Sequence, residues 1–368
     1  MPFAPNFRIT PQAASALMAV EAARVEVDRL PITPQLIAAL RESARLLSTH
    51  YSTQIEGNRL TAAEVGQVIS GKRGIPGRER DVREVYNYYR ALEKAEDMAA
   101  ATRSLRENDI RILHGLVIHG KAKPTPYRDG QNVIRDGGTG GIVYLPPEAH
   151  DVPGLMSSLL QWINDTMEKG EVPVPVVAAL AHYQYATIHP YYDGNGRTAR
   201  LLTTVILHRG GYGLKGIYSL EEYYAGNLSG YYQGLAVGGS HNYYLGREFA
   251  DVSGFVEYFC VGMADAFAKV RVRAESAGLP LNSDRTAAIR DLRPGQRQVL
   301  GLFVRNKIVT TNEVADYLHI SVRLARDLCG KWVEAGFLSV QNPSKKARAY
   351  RLAERFEEEL IRARPAIL

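Results

Sequence analysis

Residues 189–200 read HPYYDGNGRTAR. One histidine, one aspartate, one asparagine, two glycines and two arginines fall within those twelve residues. Gly194 and Gly196 leave backbone N–H groups uncovered, as close approach to an anion requires. The residues that follow open a helix, whose first turn offers free N–H donors and the positive end of its dipole. Arg197 and Arg200 lie three apart on that turn, where cations are disfavoured. A polyanion such as a di- or triphosphate, held between them, explains their presence. Asp193 then serves the anion through a divalent cation, most simply Mg2+. His189, just before the loop, is placed as a general base near a phosphorus atom. Each part alone is an ordinary turn; the combination carries the reading. It is neither GxxxxGK[ST] nor a dinucleotide fingerprint.

These residues need elements to hold them. Residues 33–50 place Leu36, Ala39, Leu40, Ala44 and Leu47 at helical spacing, and Gly57 and Asn58 read as the stop. Thr61 with Glu64 is a capping-box pattern that starts a short helix. GKRGIPGRER, residues 71–80, is a basic loop; residues 81–98 and 106–119 read as helices. NVIRD and GIVYL around GGTGG are a hairpin signal in an otherwise helical stretch, closed by Pro146-Pro147. Helices follow at 152–169 and from Pro175 to about Thr187. Another runs on from the opening loop to His208, ahead of Gly210-Gly211.

The chain has 368 residues, two cysteines, a net charge of +6 and 45% apolar residues. That suits a soluble protein of two or three domains and gives no disulfide framework or thiolate metal site. The start lacks a basic segment followed by an apolar run, and no stretch approaches a membrane helix, so the cytoplasm is expected. The charge surplus sits in the last fifth, where residues 291–368 carry fourteen Lys and Arg against nine Asp and Glu. That segment reads as helix, short strand KIVT, helix, turn, helix and a basic hairpin, a winged helix-turn-helix pattern. Ser321 caps its recognition helix, with Arg323, Arg326 and Lys331 along it and Lys345, Lys346 and Arg348 on or beside the wing. DNA or a docked protein is its expected partner.

HPYYDGNGRTAR resembles the Fic family signature, H-x-F-x-D/E-G-N-G-R-x-x-R, at every polar position, with Tyr191 where the family usually has Phe. Asn132 to Pro147, ending Tyr144-Leu145-Pro146-Pro147, is similar to the family's hairpin flap. The resemblance spans roughly residues 30–260. It implies transfer of AMP from ATP to a Ser, Thr or Tyr hydroxyl of a protein. His189 would be the base, Asp193 the Mg2+ ligand, and Gly194, Asn195 and Gly196 the anion loop. Arg197 would grip the inner phosphates and Arg200 the γ-phosphate. The flap, through Val133, Ile134 and Tyr144, would pair with the target. Tyr232 either lines the adenine pocket or packs in the core. A family variant with lysine at the position of Gly196 transfers phosphate; glycine argues against that here.

Ser52-Thr53-Gln54-Ile55-Glu56-Gly57 resembles the family's inhibitory motif, S/T-x-x-x-E-G/N. It implies that Glu56 pairs with Arg200 and takes the cation the γ-phosphate needs. A carboxylate at a helix C-terminus is otherwise disfavoured. The same glutamate could also help remove AMP from modified targets. The expected architecture is mainly α: an N-terminal helical region with the inhibitory helix (1–100), a Fic core with a β-hairpin flap (101–270), a linker (271–292) and a winged helix-turn-helix domain (293–368). A homodimer fits the family. Two alternatives stand beside the autoinhibited adenylyltransferase. One is a Fic transferase using another donor, UMP or phosphocholine. The other is a DNA-binding regulator whose Fic unit senses nucleotide.

Overall fold

The computed structural model describes residues 2–29, 34–71, 74–135, 141–237, 241–278, 296, 299, 302–303, 306–318, 320–342, 344, 348–353 and 356. The chain forms two compact units, Met1–Ala274 and Glu275–Leu368. Both are mainly helical with small antiparallel sheets.

The first unit runs α1 (Pro11–Arg29), α2 (Pro34–Ile55), α3 (Ala62–Ile69), α4 (Glu79–Ala99), α5 (Glu107–His119), β1 (Ile134–Arg135), β2 (Ile142–Tyr144), α6 (Val152–Lys169), α7 (Val174–Ile188), α8 (Asn195–Arg209), α9 (Glu221–Gly226), α10 (Leu228–Leu235) and α11 (Ser253–Gly278). Local chemistry sets the boundaries. α3 carries the capping box of Thr61 and Glu64. α6 has a proline in its first turn and ends at Gly170 in the left-handed region, and Gly120 does the same for α5. α7 is the centre of the core. Every residue from Pro175 to Ile188 except Ala186 is buried. A helix apolar on all sides belongs inside a protein, and α7 packs on α6, α8 and α10.

α1 and α11 were not read from the sequence. α1 buries Ala13, Ala16, Val20, Ala23 and Val27, small residues whose stripe is easily missed. The helical start of the expected linker is a correction: α11 reaches Gly278. The remainder of that linker lies outside the described residues, as do Lys345 and Lys346.

The second unit holds β3 (Val309–Thr310), α12 (Thr311–Leu318), α13 (Val322–Glu334), β4 (Leu338–Asn342) and β5 (Ala349–Leu352). The strands form an antiparallel sheet of order β3-β5-β4. Ser321 caps α13, its side chain accepting from the Leu324 N–H at 3.3 Å. Ala325, Cys329 and Trp332 face a core with Phe337, Tyr350 and Leu352. Among the described residues, no helix is long and apolar enough to cross a membrane.

Candidate active site

The site is the turn between α7 and α8. His189 ends α7 with φ 51 and ψ 59, in the left-handed region that a non-glycine residue enters only when its surroundings hold it. Those surroundings are visible. The His189 N–H donates to the Tyr185 carbonyl at 3.0 Å, and its carbonyl accepts from Arg128 Nε at 3.0 Å. Burial holds the imidazole down to about 4, against smaller opposing effects that include the charges of Glu56 and Asp193. It is therefore neutral at pH 7 and able to accept a proton.

The loop is clamped from within. Asn195 Nδ2 donates to the Tyr191 carbonyl at 2.7 Å, and Asn195 Oδ1 accepts from the Tyr191 N–H at 3.0 Å. Its side chain is thus committed to the loop and not turned to an anion. Gly194 takes φ +78, and a Cβ there would meet Ile118 Cδ1 at 2.8 Å. Asp193 Oδ1 accepts from the Gly194 N–H at 2.6 Å and from Arg197 Nη2 at 3.0 Å. The Asp193 side chain is otherwise two-thirds exposed. Arg197 is buried, and its Nε has no partner among the described residues.

Arg200 is fully buried. Its Nε donates to Ser52 Oγ at 2.7 Å, and its Nη2 to the Ser52 carbonyl at 2.9 Å and to Glu56 Oε1 at 2.8 Å. Burial is the largest influence and opposes its charge, but the Glu56 carboxylate, together with Tyr231 and Tyr88, outweighs it and leaves the guanidinium more firmly protonated than usual. Arg200 Nη1 has no partner among the described residues. Glu56 lies directly over Gly196, where a Cβ would come within 2.4 Å of Oε1. Glu56 itself follows the end of α2, and Gly57 at φ +92 turns the chain away.

Tyr144, expected among the target-pairing residues of the flap, turns its side chain into the protein. Its side chain is buried, its hydroxyl donates to the Thr187 carbonyl at 2.9 Å, and Arg247 lies over its ring at 5.1 Å. It anchors the flap to the end of α7. Val133 and Ile134 stay partly exposed, and β1 is an edge of the two-stranded sheet, with Ile134 opposite Tyr144 and Arg135 opposite Ile142. Tyr232 is 49% exposed and its hydroxyl reaches the Ile55 carbonyl at 3.5 Å, whereas Tyr231 is buried and donates to His182 Nε2 at 2.9 Å. Of the pair, Tyr231 is the one packed in the core, and Tyr232 keeps an open face. Arg323 and Arg326 lie exposed on α13, in the other unit.

Three further residues position the loop. His114 on α5 stacks on Tyr191 with ring centres 3.5 Å apart, and its Nε2 donates to the Asp193 carbonyl at 2.9 Å. Burial keeps that ring neutral by lowering it to about 4. Thr125 meets His114 Nδ1 at 2.7 Å. Arg128 ties the flap base to the loop, donating from Nη1 to the Gly130 carbonyl at 3.0 Å and from Nη2 to the Pro147 carbonyl. In sequence, a lone histidine on an apolar helix face reads as a satisfied core residue, so nothing marked His114.

A sequence model of the Fic/DOC family matches residues 104–207. The protein adenylyltransferase Fic of Nematostella vectensis is 32% identical over 169 residues, 44% of this chain and 37% of that protein. Its namesake from Drosophila grimshawi is 31% identical over 189 residues, 50% of this chain and 38% of that protein. The chain spans less than two-fifths of the length of these relatives. The crystal structure of a Fic family protein from Desulfovibrio desulfuricans is 25% identical with a TM-score of 0.65, covering 96% of this chain and 99% of that one. A Fic domain containing signaling protein from Bacteroides thetaiotaomicron, 23% identical with a TM-score of 0.59, covers 73% and 97% and shares the fold. With the signature turn at residues 189–200 inside the matched segment, this chain is a Fic domain protein.

Proposed function

We propose that this protein is an autoinhibited protein adenylyltransferase. The observation that carries the proposal is the Glu56–Arg200 ion pair, 2.8 Å long, seated over Gly196 beside a neutral His189. ATP would lay its phosphates on the turn from Asp193 to Arg197, against the start of α8. Arg197 would take the inner phosphates and Arg200, once released by Glu56, the γ-phosphate. Tyr232 would cover the adenine with its open face. A target segment would add to the edge strand β1, bringing a Ser, Thr or Tyr hydroxyl to His189.

His189 would accept the hydroxyl proton as the oxygen attacks the α-phosphorus. The bond from that phosphorus to the α,β-bridging oxygen breaks, pyrophosphate leaves, and AMP stays esterified to the target. One Asp193 oxygen is held by the Gly194 N–H and Arg197, in a side chain open to solvent. This suits Mg2+, which is bound through one or two carboxylates together with substrate phosphates. When bound, the ion would neutralise phosphate charge.

The test uses wild type, Glu56→Gly, and Glu56→Gly with His189→Ala. Each is incubated with Mg2+ and ATP labelled on the α- or the γ-phosphate, with and without host lysate. The expected result is α-label on protein, strongest in Glu56→Gly and abolished by His189→Ala. γ-label would mean phosphoryl transfer. No label with ATP still bound would move the reading to another donor, UMP or phosphocholine. The exposed Arg323 and Arg326 favour a separate docking role for the second unit, with DNA or protein. Salt-dependent binding to duplex DNA, weakened by Arg326→Ala, would assign it to DNA.

A further inference from the structure

From Ser48 to Ile55, α2 is seated mainly on polar side chains. Ser48, Thr49, His50, Ser52 and Thr53 are buried, with Ile55 as the buried apolar residue of that stretch. Apolar burial is non-directional, so a helix seated on hydroxyls takes its register from hydrogen bonds. Thr53 spends its hydroxyl on its own helix, at 2.8 Å from the Thr49 carbonyl. Ser48, Ser52 and Glu56 recur every four residues along one face and reach outward. Ser52 and Glu56 hold Arg200. Ser48 donates instead to Glu221 Oε2 at 2.8 Å.

Glu221 opens α9 and is buried. Its carboxylate also accepts from Ser219 at 3.0 Å and from Tyr88 of α4 at 3.3 Å. A buried carboxylate is tolerated only when its oxygens are satisfied, and hydrogen bonds to an ionised acceptor are the stronger kind. Ser48, Arg200 and Glu221 are among the residues lining a small, partly open cleft of about 20 Å³, enough for roughly one water. The Glu221 carboxylate thus bridges α2, α4 and α9 through hydrogen bonds.

We propose that Glu221 is a positioning residue for autoinhibition: it fixes the register of α2 through Ser48 and so keeps Ser52 and Glu56 on Arg200. This rests on the autoinhibited reading above. Loss of the Ser48–Glu221 bond leaves Arg200 held by a helix free to shift, and Glu56 yields to the γ-phosphate more readily. The test places Glu221→Gln, and separately the milder Ser48→Ala, in wild type and in Glu56→Gly. Two quantities are read: α-label incorporation from ATP, and amide hydrogen exchange of α2 without nucleotide. The expected result is about tenfold more label in the wild-type background, no rise in Glu56→Gly, and faster exchange across residues 48–56.

Unchanged label and unchanged exchange, in protein that folds, would overturn the proposal. So would an equal rise in both backgrounds, because Glu221 would then act without Glu56. A lowered Tm with flat labelling would reduce Glu221 to a structural residue. Should Glu56→Gly itself stay inactive, the autoinhibited reading falls and the regulatory role of Glu221 with it. The exchange rates then still report whether Glu221 holds α2, which separates the two failures.

Discussion

Replacing Glu56 with glutamine removes a charge and keeps the shape. The Arg200 side chain is 1% exposed, that of Glu56 29%, and the two meet at 2.8 Å. With charge centres about 4 Å apart and an effective dielectric of about 20, the gross attraction is about 4 kcal/mol. The exposure of Glu56 and the ordering of its side chain offset about half, leaving about 2 kcal/mol, in the range for hydrogen bonds to charged groups. That is roughly thirtyfold in the balance between blocked and open Arg200. At low ATP, Glu56→Gln is therefore expected to incorporate α-label about thirtyfold faster than wild type, and Glu56→Gly faster again because the hydrogen bond goes too. Glu56→Gln also leaves a buried guanidinium without its counter-charge. The ATP-free protein should lose a few kcal/mol, a fall in Tm of about 5–10 °C for a unit of this size, with ATP restoring part of it. Labelling rates and thermal scans with and without ATP check both halves. A glutamine variant that labels at the wild-type rate while Glu56→Gly is active would refute the charge argument. The bulk of the side chain over Gly196 would then be the block.

Acid should weaken the N-terminal unit early. His114 and His189 are held to about 4 and His182 to about 3, each by burial first. An unfolded histidine near 6.5 binds protons that these folded ones refuse, so stability is full above about 6.5 and falls as pH drops toward 4. Three such groups give up to about 4 kcal/mol per pH unit, and thermal scans from pH 7 to pH 5 should show a steep loss of Tm. Gly194→Ala must place a Cβ at φ +78 and 2.8 Å from Ile118 Cδ1, so it should abolish ATP-dependent labelling and destabilise by about 1–3 kcal/mol, read by denaturant titration. Tyr191→Phe removes a buried hydroxyl that has no partner among the described residues, and keeps the stack on His114. It should leave labelling intact and stability unchanged or up to about 1 kcal/mol higher in the same titration.

The sequence by itself determined the parts whose chemistry is local. The α7–α8 turn and several helix starts were legible because glycines, prolines and caps act on their own neighbours: Gly194 takes its left-handed φ, Pro175 sits in the first turn of α7, and Thr61 and Glu64 close their box at the start of α3. The motif carrying Glu56 was legible too, as a charge set against a helix dipole. The resemblance named Arg200 as its partner, but only the tertiary structure supplied the contact. Ser52 and Glu56 meet Arg200 across more than 140 residues of chain, and no periodicity within α2 encodes that distance. The same holds for Glu221, one acid among many in the sequence, whose meaning depends on Ser48 and Tyr88 arriving from two other helices. The burial of Tyr144 was not legible either, because a two-residue pairing with a shifted register cannot be phased from alternation alone. His114 shows the limit plainly: a neutral ring on an apolar helix face is indistinguishable from core until the fold sets the Asp193 carbonyl 2.9 Å away. Backbone preferences and caps travel with the sequence. Which buried polar groups satisfy one another is fixed only when packing brings distant elements together and excludes the water that would otherwise serve them.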